Sequence, residues 1–303
     1  MNTVLVVTSS IDCTVDYIIE KYKNDAIFFR LDVDHLSYYD IIIKTSGWEI
    51  VDKRNAWRIS KHDIMSIYYR KPQFPDLEDF SPEYRNYIRN DIISVINGIV
   101  DDFQKKVLTK PSILRQCENK IFQLLYASDN NIQMPYSFIG NCNSELQKLS
   151  YNDTIIKPIY TGKISTEDRC ELYQTSIFKD YNEDISLMPV YIQKYENKAY
   201  EVRLTIIDGK IYPIRINSKD KIDWRKAYDS NVYSIIDIPL KIHENVIKMM
   251  EDFNLAFGAF DYIVNPKGEW IFLEVNPNGQ WLWLELELGI NISRDIVDYL
   301  IRE

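Results

Sequence analysis

The chain has 303 residues, 46% of them hydrophobic and 27% charged, with 9 Gly and 11 Pro; it can bury a large core, and the extreme compositional classes are ruled out. A formal net charge of −9 argues against a nucleic-acid backbone as the main partner, because neutralising phosphates needs a surplus of Lys and Arg on one face. What remains is a soluble globular protein of two or three small domains.

In chain order, Val4, Leu5, Val6 and Val7 form an apolar run too short for a signal h-region or a membrane span, so nothing is expected to target the chain out of the cell. The run is of strand type, and Val15, Ile18 and Ile19 then recur at helical spacing over residues 14–22, giving a strand–loop–helix opening typical of an α/β domain. Residues 27–31 read as a second strand, 64–69 as a later strand ending at Arg70, Lys71 and Pro72, and 84–100 as a helix. Val107 to Pro111 closes a first unit, placed at residues 1–112.

A helix over 118–128, ended by Asp129, Asn130, Asn131 and Pro135, opens a central unit at 113–190 that also holds a strand at 154–157. The last unit, 191–303, is richer in strand signals. Cys13, Cys117, Cys142 and Cys170 lie at least 25 residues apart with no C-x-x-C pair, which reads as reduced thiols of a cytoplasmic protein. His35, His62 and His243 sit in no catalytic context.

Two hairpins carry most of the chemistry. Asp208 and Gly209 form a strong two-residue turn signal, and pairing Ile207 with Lys210 puts Glu201 and Arg203 on one face and Arg215 on the other. Pro213 predicts a bulge in the returning strand, which leaves the side Arg215 faces unsettled. Further on, a turn at Asn265, Pro266, Lys267 and Gly268 joins two strands. If it pairs Val264 with Glu269, Asp261 lies opposite Phe272, and Asp261, Phe272, Glu274 and Asn276 share one face. Phe260, Tyr262, Val264, Ile271, Leu273 and Val275 then form the core stripe. Two carboxylates and an amide are hard oxygen ligands, suited to a Mg²⁺ ion that completes its octahedron with waters and nucleotide phosphates.

Asp261, followed thirteen residues on by Glu274 and then by Asn276, Pro277, Asn278 and Gly279, resembles the metal-binding signature of the ATP-grasp superfamily. That resemblance implies an α/β and α+β ATP-grasp fold: an N-terminal α/β domain, a small central domain and a C-terminal ATP-grasp domain. It also implies a set of nucleotide contacts. Lys157, before the segment Tyr160, Thr161, Gly162, Lys163, Ile164, Ser165, would be the phosphate lysine, and Lys120, after Asn119, the earlier nucleotide lysine. Gln193, Lys194 and Tyr195 would meet adenine at the hinge, and Glu201 would hold ribose. Arg203 would lie near the transferred phosphate, and Arg215 belongs to the nucleotide set.

Asp223, Trp224 and Arg225, together with Asn276 to Glu285 and the segment Tyr68 to Pro72, resemble the graspetide synthetases, the microviridin-type ligases. By that resemblance, ATP and Mg²⁺ activate Asp or Glu side chains of a ribosomal precursor peptide as acyl phosphates. Thr or Ser hydroxyls, or Lys amines, of the same peptide then close ester or amide rings. Arg225, with Arg203, would bind the substrate carboxylate; Asp223 either orients that arginine or accepts the nucleophile's proton. A homodimer and a leader-peptide groove near the N-terminal domain are further implications. The competing readings are an intermolecular ATP-grasp carboxylate–amine ligase and a nucleotide-binding protein without turnover. If the strand continues, Trp281 and Trp283 share a face, and as large aromatics they read as core or dimer contacts and not as a substrate platform.

Overall fold

The computed structural model describes residues 1–149, 153–160, 163–165, 170–172, 175–225 and 230–302. The opening run becomes the strand Thr3–Thr8, and Asp12 caps the helix Cys13–Tyr22, its side chain accepting from the amides of Thr14 and Val15. Thr3–Thr8 pairs in parallel with Ile27–Asp32 on one side and Ser66–Tyr69 on the other, and Lys106–Leu108 completes a four-stranded parallel sheet. A helix, Pro82–Asp102, covers one face of it, with Ile96, Ile99 and Val100 buried. The antiparallel meander Tyr39–Lys44, Gly47–Asp52 and Trp57–Ser60 packs into the same core. Its strands are short and half-polar, so alternation alone did not mark them.

A second four-stranded sheet runs in the order Ser176–Phe178, Thr154–Lys157, Val190–Lys194, Ser137–Gly140. The largest sheet is antiparallel and five-stranded, in the order Val232–Ile235, Lys210–Asn217, Tyr200–Ile207, Phe257–Val264, Trp270–Asn276. One of its faces, bearing Val202, Leu204, Phe260, Tyr262 and Val275, is buried under the helices Lys120–Asp129 and Leu240–Asp252. Its other face is divided. Ile207, Ile214 and Phe257 pack against Val4, Val6 and Ile18 of the N-terminal sheet and helix, and against the helices Leu282–Leu288 and Ile292–Ile301. At the opposite end of the same face stand Glu201, Arg203 and Asp261.

Three details differ from the sequence reading. The turn after Val264 closes one residue later, with the Asn265 amide donating to the Glu269 carbonyl, so Val264 pairs with Trp270 and Tyr262 with Phe272. Phe272 is therefore core, its ring 5.5 Å from that of Tyr262. A β-bulge then slips the register again, leaving Leu273 over and setting Asp261 opposite Glu274. The two slips cancel in parity, and Asp261, Glu274 and Asn276 still share a face.

Pro213, by contrast, makes no bulge: it lies opposite Leu204 in an unbroken ladder, and Arg215 falls opposite Val202. Nor does the last strand continue to the tryptophans. Trp281 is fully buried at the start of the helix Leu282–Leu288, while Trp283 packs 5.3 Å from Trp224. Among the described residues, no helix is long and apolar enough to cross a membrane.

Glu285 ties the two ends of the chain together. Its buried carboxylate accepts from Lys21, Tyr17 and both the amide and hydroxyl of Ser293 at 2.5–2.8 Å. Burial pushes the Glu285 carboxyl up, but these bonds outweigh burial and hold it below its ordinary value of 4.5. A depressed carboxyl stabilises the fold at pH values above its unfolded value, and that contribution fades as the pH falls through the native one. Glu285→Ala is expected to cost about 2–4 kcal/mol at neutral pH, read from urea unfolding, because it strands the Ser293 groups. The gap between wild type and variant should narrow in acid, where the charge-dependent part is lost and the stranded Ser293 groups remain; a gap independent of pH would contradict the charge-based account.

Candidate active site

At the polar end of the divided face, register sets three charged residues in one row across neighbouring strands: Arg203 opposite Asp261, and Asp261 opposite Glu274. The Arg203 Nη1 donates to both Asp261 oxygens at 2.8 Å, and its Nη2 reaches the Gln280 carbonyl at 3.4 Å. A second guanidinium approaches the same carboxylate: Arg225 Nη2 lies 3.3 Å from Asp261 Oδ2, and its Nη1 3.3 Å from Asp223 Oδ1. Asp223 is buried, and its Oδ1 also accepts from the Arg225 amide, which fixes the turn that aims Arg225 inward. Trp224 packs against Trp283 beneath that turn.

Two lysines close the other side. Lys120 opens its helix behind the Asn119 cap; its Nζ donates to the Pro158 carbonyl at 2.7 Å and stands 3.9 Å from Glu274 Oε2. Burial lowers the Lys157 ammonium below its ordinary value, and the Glu274 carboxylate opposes that shift. Gln123 fixes the helix of Lys120 to the strand of Glu274: its amide donates to the Val275 carbonyl at 2.8 Å and accepts from the Val275 amide at 2.9 Å.

The hinge strand Val190–Lys194 lies beside Thr154–Lys157. The amides of Lys194 and Tyr195 are already donated, to the carbonyls of Tyr136 and Asp153. Glu201 is buried at the cleft wall with the Lys198 ammonium 2.8 Å from Oε1, and its Oε2 is buried without a hydrogen-bond partner. Burial raises the Glu201 carboxyl to about 7; Lys198 pulls it down, whereas Asp261 and Asp223 push it up.

These groups line a cleft of about 250 Å³. Lys120, Lys157, Gln193, Lys194, Tyr195, Glu201, Asp223, Arg225, Asp261 and Glu274, all singled out from sequence, are in its wall. Three expected residues are not. Arg203 lies behind Asp261 and is buried; Asn276 borders an adjoining groove, its Oδ1 accepting from the Asn278 amide. Arg215 is on the far face, its guanidinium 3.9 Å from the Tyr200 ring centroid and bonded to Asn217. Its distance from the cleft follows from the unbroken ladder through Pro213. Thr161 and Gly162, in the loop after Lys157, lie outside the described residues.

The donor chemistry of Asp261, Glu274 and Asn276 suits a hard divalent cation, and the unpartnered Glu201 Oε2 suits a hydroxyl donor. Among the described residues, however, no three His, Cys, Asp or Glu side chains converge as a ready-made metal cage. In this structure Asp261 is held by arginines instead.

Sequence reasoning missed Lys198, Gln123 and Arg70. Arg70 is almost wholly buried, and its Nη1 donates to the carbonyls of Asn278 and Gly279 and to Asn278 Oδ1 at 3.0–3.1 Å, fixing the loop after Asn276. A Cβ on Gly279 would come within 2.7 Å of Ala259 Cβ and 2.9 Å of Arg203 Nη2, so only glycine leaves room for that guanidinium.

A profile of the RimK-like ATP-grasp domain matches residues 119–300. The alpha-aminoadipate–LysW ligase LysX of Saccharolobus solfataricus is 25% identical over 177 residues, 55% of this chain; the match spans 62% of that relative's length. Two solved structures are similar over nearly the whole chain. One is the Chryseobacterium gregarium RiPP-associated ATP-grasp ligase in complex with ADP and a leader and core peptide, with a TM-score of 0.88 and 22% identity, covering 99% of this chain and 96% of that one. The other is macrocyclase MdnC from Microcystis aeruginosa MRC, bound with precursor peptide MdnA, with a TM-score of 0.89 and 22% identity, covering 99% of this chain and 100% of that one. At such identities the likeness to solved structures is one of fold. The matched profile, covering more than half of the residues, makes this chain a member of the RimK-like ATP-grasp family.

Proposed function

We propose that the protein is an ATP-dependent ligase that activates Asp or Glu side chains of a ribosomal precursor peptide and closes them onto Thr, Ser or Lys side chains of the same peptide. The observation that carries the reading is the row of Arg203, Asp261 and Glu274 at the end of a cleft that also holds Lys120, Lys157 and Glu201. The likeness in fold to macrocyclase MdnC supports the choice of a peptide as substrate.

A carboxylate resists attack because oxide is a poor leaving group. Transfer of the γ-phosphoryl to its oxygen yields an acyl phosphate and ADP; attack by the hydroxyl or amine then forms the ester or amide and releases phosphate. Positioning and charge neutralisation are what the protein supplies. Asp261 and Glu274, with Asn276 as third donor, would hold a Mg²⁺ ion, whose positive charge would offset that of the phosphates. Lys157 and Lys120 serve as fixed cations on the phosphates, and Lys157, being desolvated, is the stronger electrostatic partner. Glu201 receives ribose hydroxyls on its free oxygen. At the hinge the Lys194 and Tyr195 amides are committed, so the Glu196 amide is assigned to adenine. Arg203 holds Asp261 in place. Arg225, half exposed and only loosely bonded, takes the substrate carboxylate as a planar two-point partner.

Incubating the protein with ATP, Mg²⁺ and the peptide of a neighbouring reading frame rich in Thr and Glu or Asp should give products lighter by whole water masses. A product heavier than the peptide would instead favour intermolecular ligation. Unchanged peptide with no ADP release would reject turnover.

Asp261→Asn and Lys157→Met should each lower kcat by on the order of 10²-fold or more, with the fold intact by circular dichroism. Gly279→Ala should also slow the reaction through displacement of Arg203, and a fully active Gly279→Ala enzyme would count against that placement.

Because the ionised Glu201 carboxylate accepts ribose hydroxyls more strongly than its protonated form, ADP affinity should rise several-fold in total as the pH passes upward through about 7. Calorimetric titration across that range should give Glu201→Gln a shallower profile, retaining only the rise that comes from ionisation of the ADP phosphate itself. A wild-type profile no steeper than that of Glu201→Gln would remove Glu201 from the ribose site.

A further inference from the structure

A second groove, about 930 Å³, runs between the N-terminal sheet and the end of the strand Trp270–Asn276, and it meets the nucleotide cleft at Lys120 and Glu274. Its outer wall carries Tyr69, Lys71, Phe74 and Asn97 from the N-terminal unit and Arg115 from the helix Pro111–Cys117. Three cations, Lys71, Arg115 and Lys120, face two acids, Glu118 and Glu274, inside a chain whose net charge is −9. The cations are of two kinds. Lys120 is tied to Pro158, while among the described residues the side chains of Lys71 and Arg115 make no hydrogen bond or ion pair, and both are exposed.

Lys71 is turned toward the groove by its backbone. Its φ of +42° is left-handed, a conformation costly for a side-chain-bearing residue and kept only where its surroundings impose it. Arg70, locked onto the 278–280 loop, fixes the entry to Lys71, and the left-handed backbone is held against the extended preference that Pro72 sets for the residue before it. The Lys71 side chain reaches solvent at the groove mouth, yet the walls around it desolvate the ammonium and, with Arg70 and Arg203 close by, lower it to about 8; Asp12 and Glu118 only partly compensate. An ammonium so placed gains most from a carboxylate brought in by a ligand. Arg203 cannot serve, since Asp261 already occupies it.

We infer that this groove binds an acidic stretch of the substrate peptide, with Lys71 and Arg115 as the cations that receive its carboxylates and lead the reacting one to the junction at Lys120 and Glu274. The inference rests on the peptide-ligase reading and names the binding surface for that substrate. Tyr69 and Phe74 supply apolar contact for the intervening residues, and the groove's acids are too few to repel an anionic chain.

The test uses the full chain saturated with ADP and Mg²⁺ and two fluorescein-labelled peptides, one of alternating Thr and Glu and the other with every Glu replaced by Gln. Fluorescence anisotropy should give at least about tenfold tighter binding of the acidic peptide, falling with added salt. Lys71→Met and Arg115→Met should each remove most of that preference while leaving ADP binding unchanged, and Lys71→Arg should restore it. Lys71→Gly, which relieves the left-handed backbone, should lose the preference without loss of fold. Equal binding of the two peptides, or undiminished preference in both Met variants, would overturn the groove even if macrocycles form. Selective binding with no ATP-dependent mass change would overturn the ligase reading alone.

Discussion

Arg203, Asp261 and Glu274 stand shoulder to shoulder on three adjoining strands, so backbone register by itself brings one cation and two anions together. Cβ atoms of directly opposed residues lie about 5 Å apart, a spacing at which two carboxylates in a poorly solvated wall repel strongly. The Arg203 guanidinium behind Asp261 and the Arg225 guanidinium in front of it offset that repulsion. Arg203 is in turn positioned by a missing side chain, since Gly279 leaves the space its Nη2 occupies. Lys120 is referenced to the row through Gln123, whose side chain bonds both backbone groups of Val275 next to Glu274.

That row was partly legible in the sequence. Asp261, Glu274 and Asn276 alternate with apolar residues, and the strand period of two assigned them one face. The partner of Asp261 was misread because a turn closing one residue later and a bulge are each invisible to alternation; each moves the register by one, and only their sum preserves the face. Leu273, expected in the core, faces the cleft for the same reason. Asp208 and Gly209 both take positive φ, as a tight hairpin needs, and the pairing of Ile207 with Lys210 came directly from that signal. Pro213 misled in the opposite direction: it sits in an intact ladder, and Arg215 is carried to the far face.

Contacts distant in sequence were beyond reach. Arg70 bonds a loop more than two hundred residues away, and nothing around Tyr68 to Pro72 marks it as buried rather than solvated. Lys198 lies only three residues before Glu201, yet a lysine there reads as a surface residue until the burial of both is known. The α/β opening, the helix after Asn119 and the last-unit strands were recoverable because each has its own local period or cap. The N-terminal meander lacks a continuous apolar stripe and was passed over.

Electrostatics in this chain are local rather than global. A net charge of −9 would keep anionic ligands away if it were spread evenly, but the cleft and the groove hold Lys71, Arg115, Lys120, Lys157 and Arg225 within one region of the fold, with Arg203 behind Asp261. Low-dielectric walls strengthen the field of such a cluster, and surrounding acids confine it. Buried polar atoms in folded proteins are nearly always bonded, so the unpartnered Glu201 Oε2, Gln193 Oε1 and Arg203 Nε are costly to keep. Glu201 and Gln193 line the cleft itself and Arg203 backs its carboxylate row. At Glu201 and Gln193 the cost falls where a bound nucleotide can recover it, which is the arrangement expected when affinity comes from a wall organised before the ligand arrives.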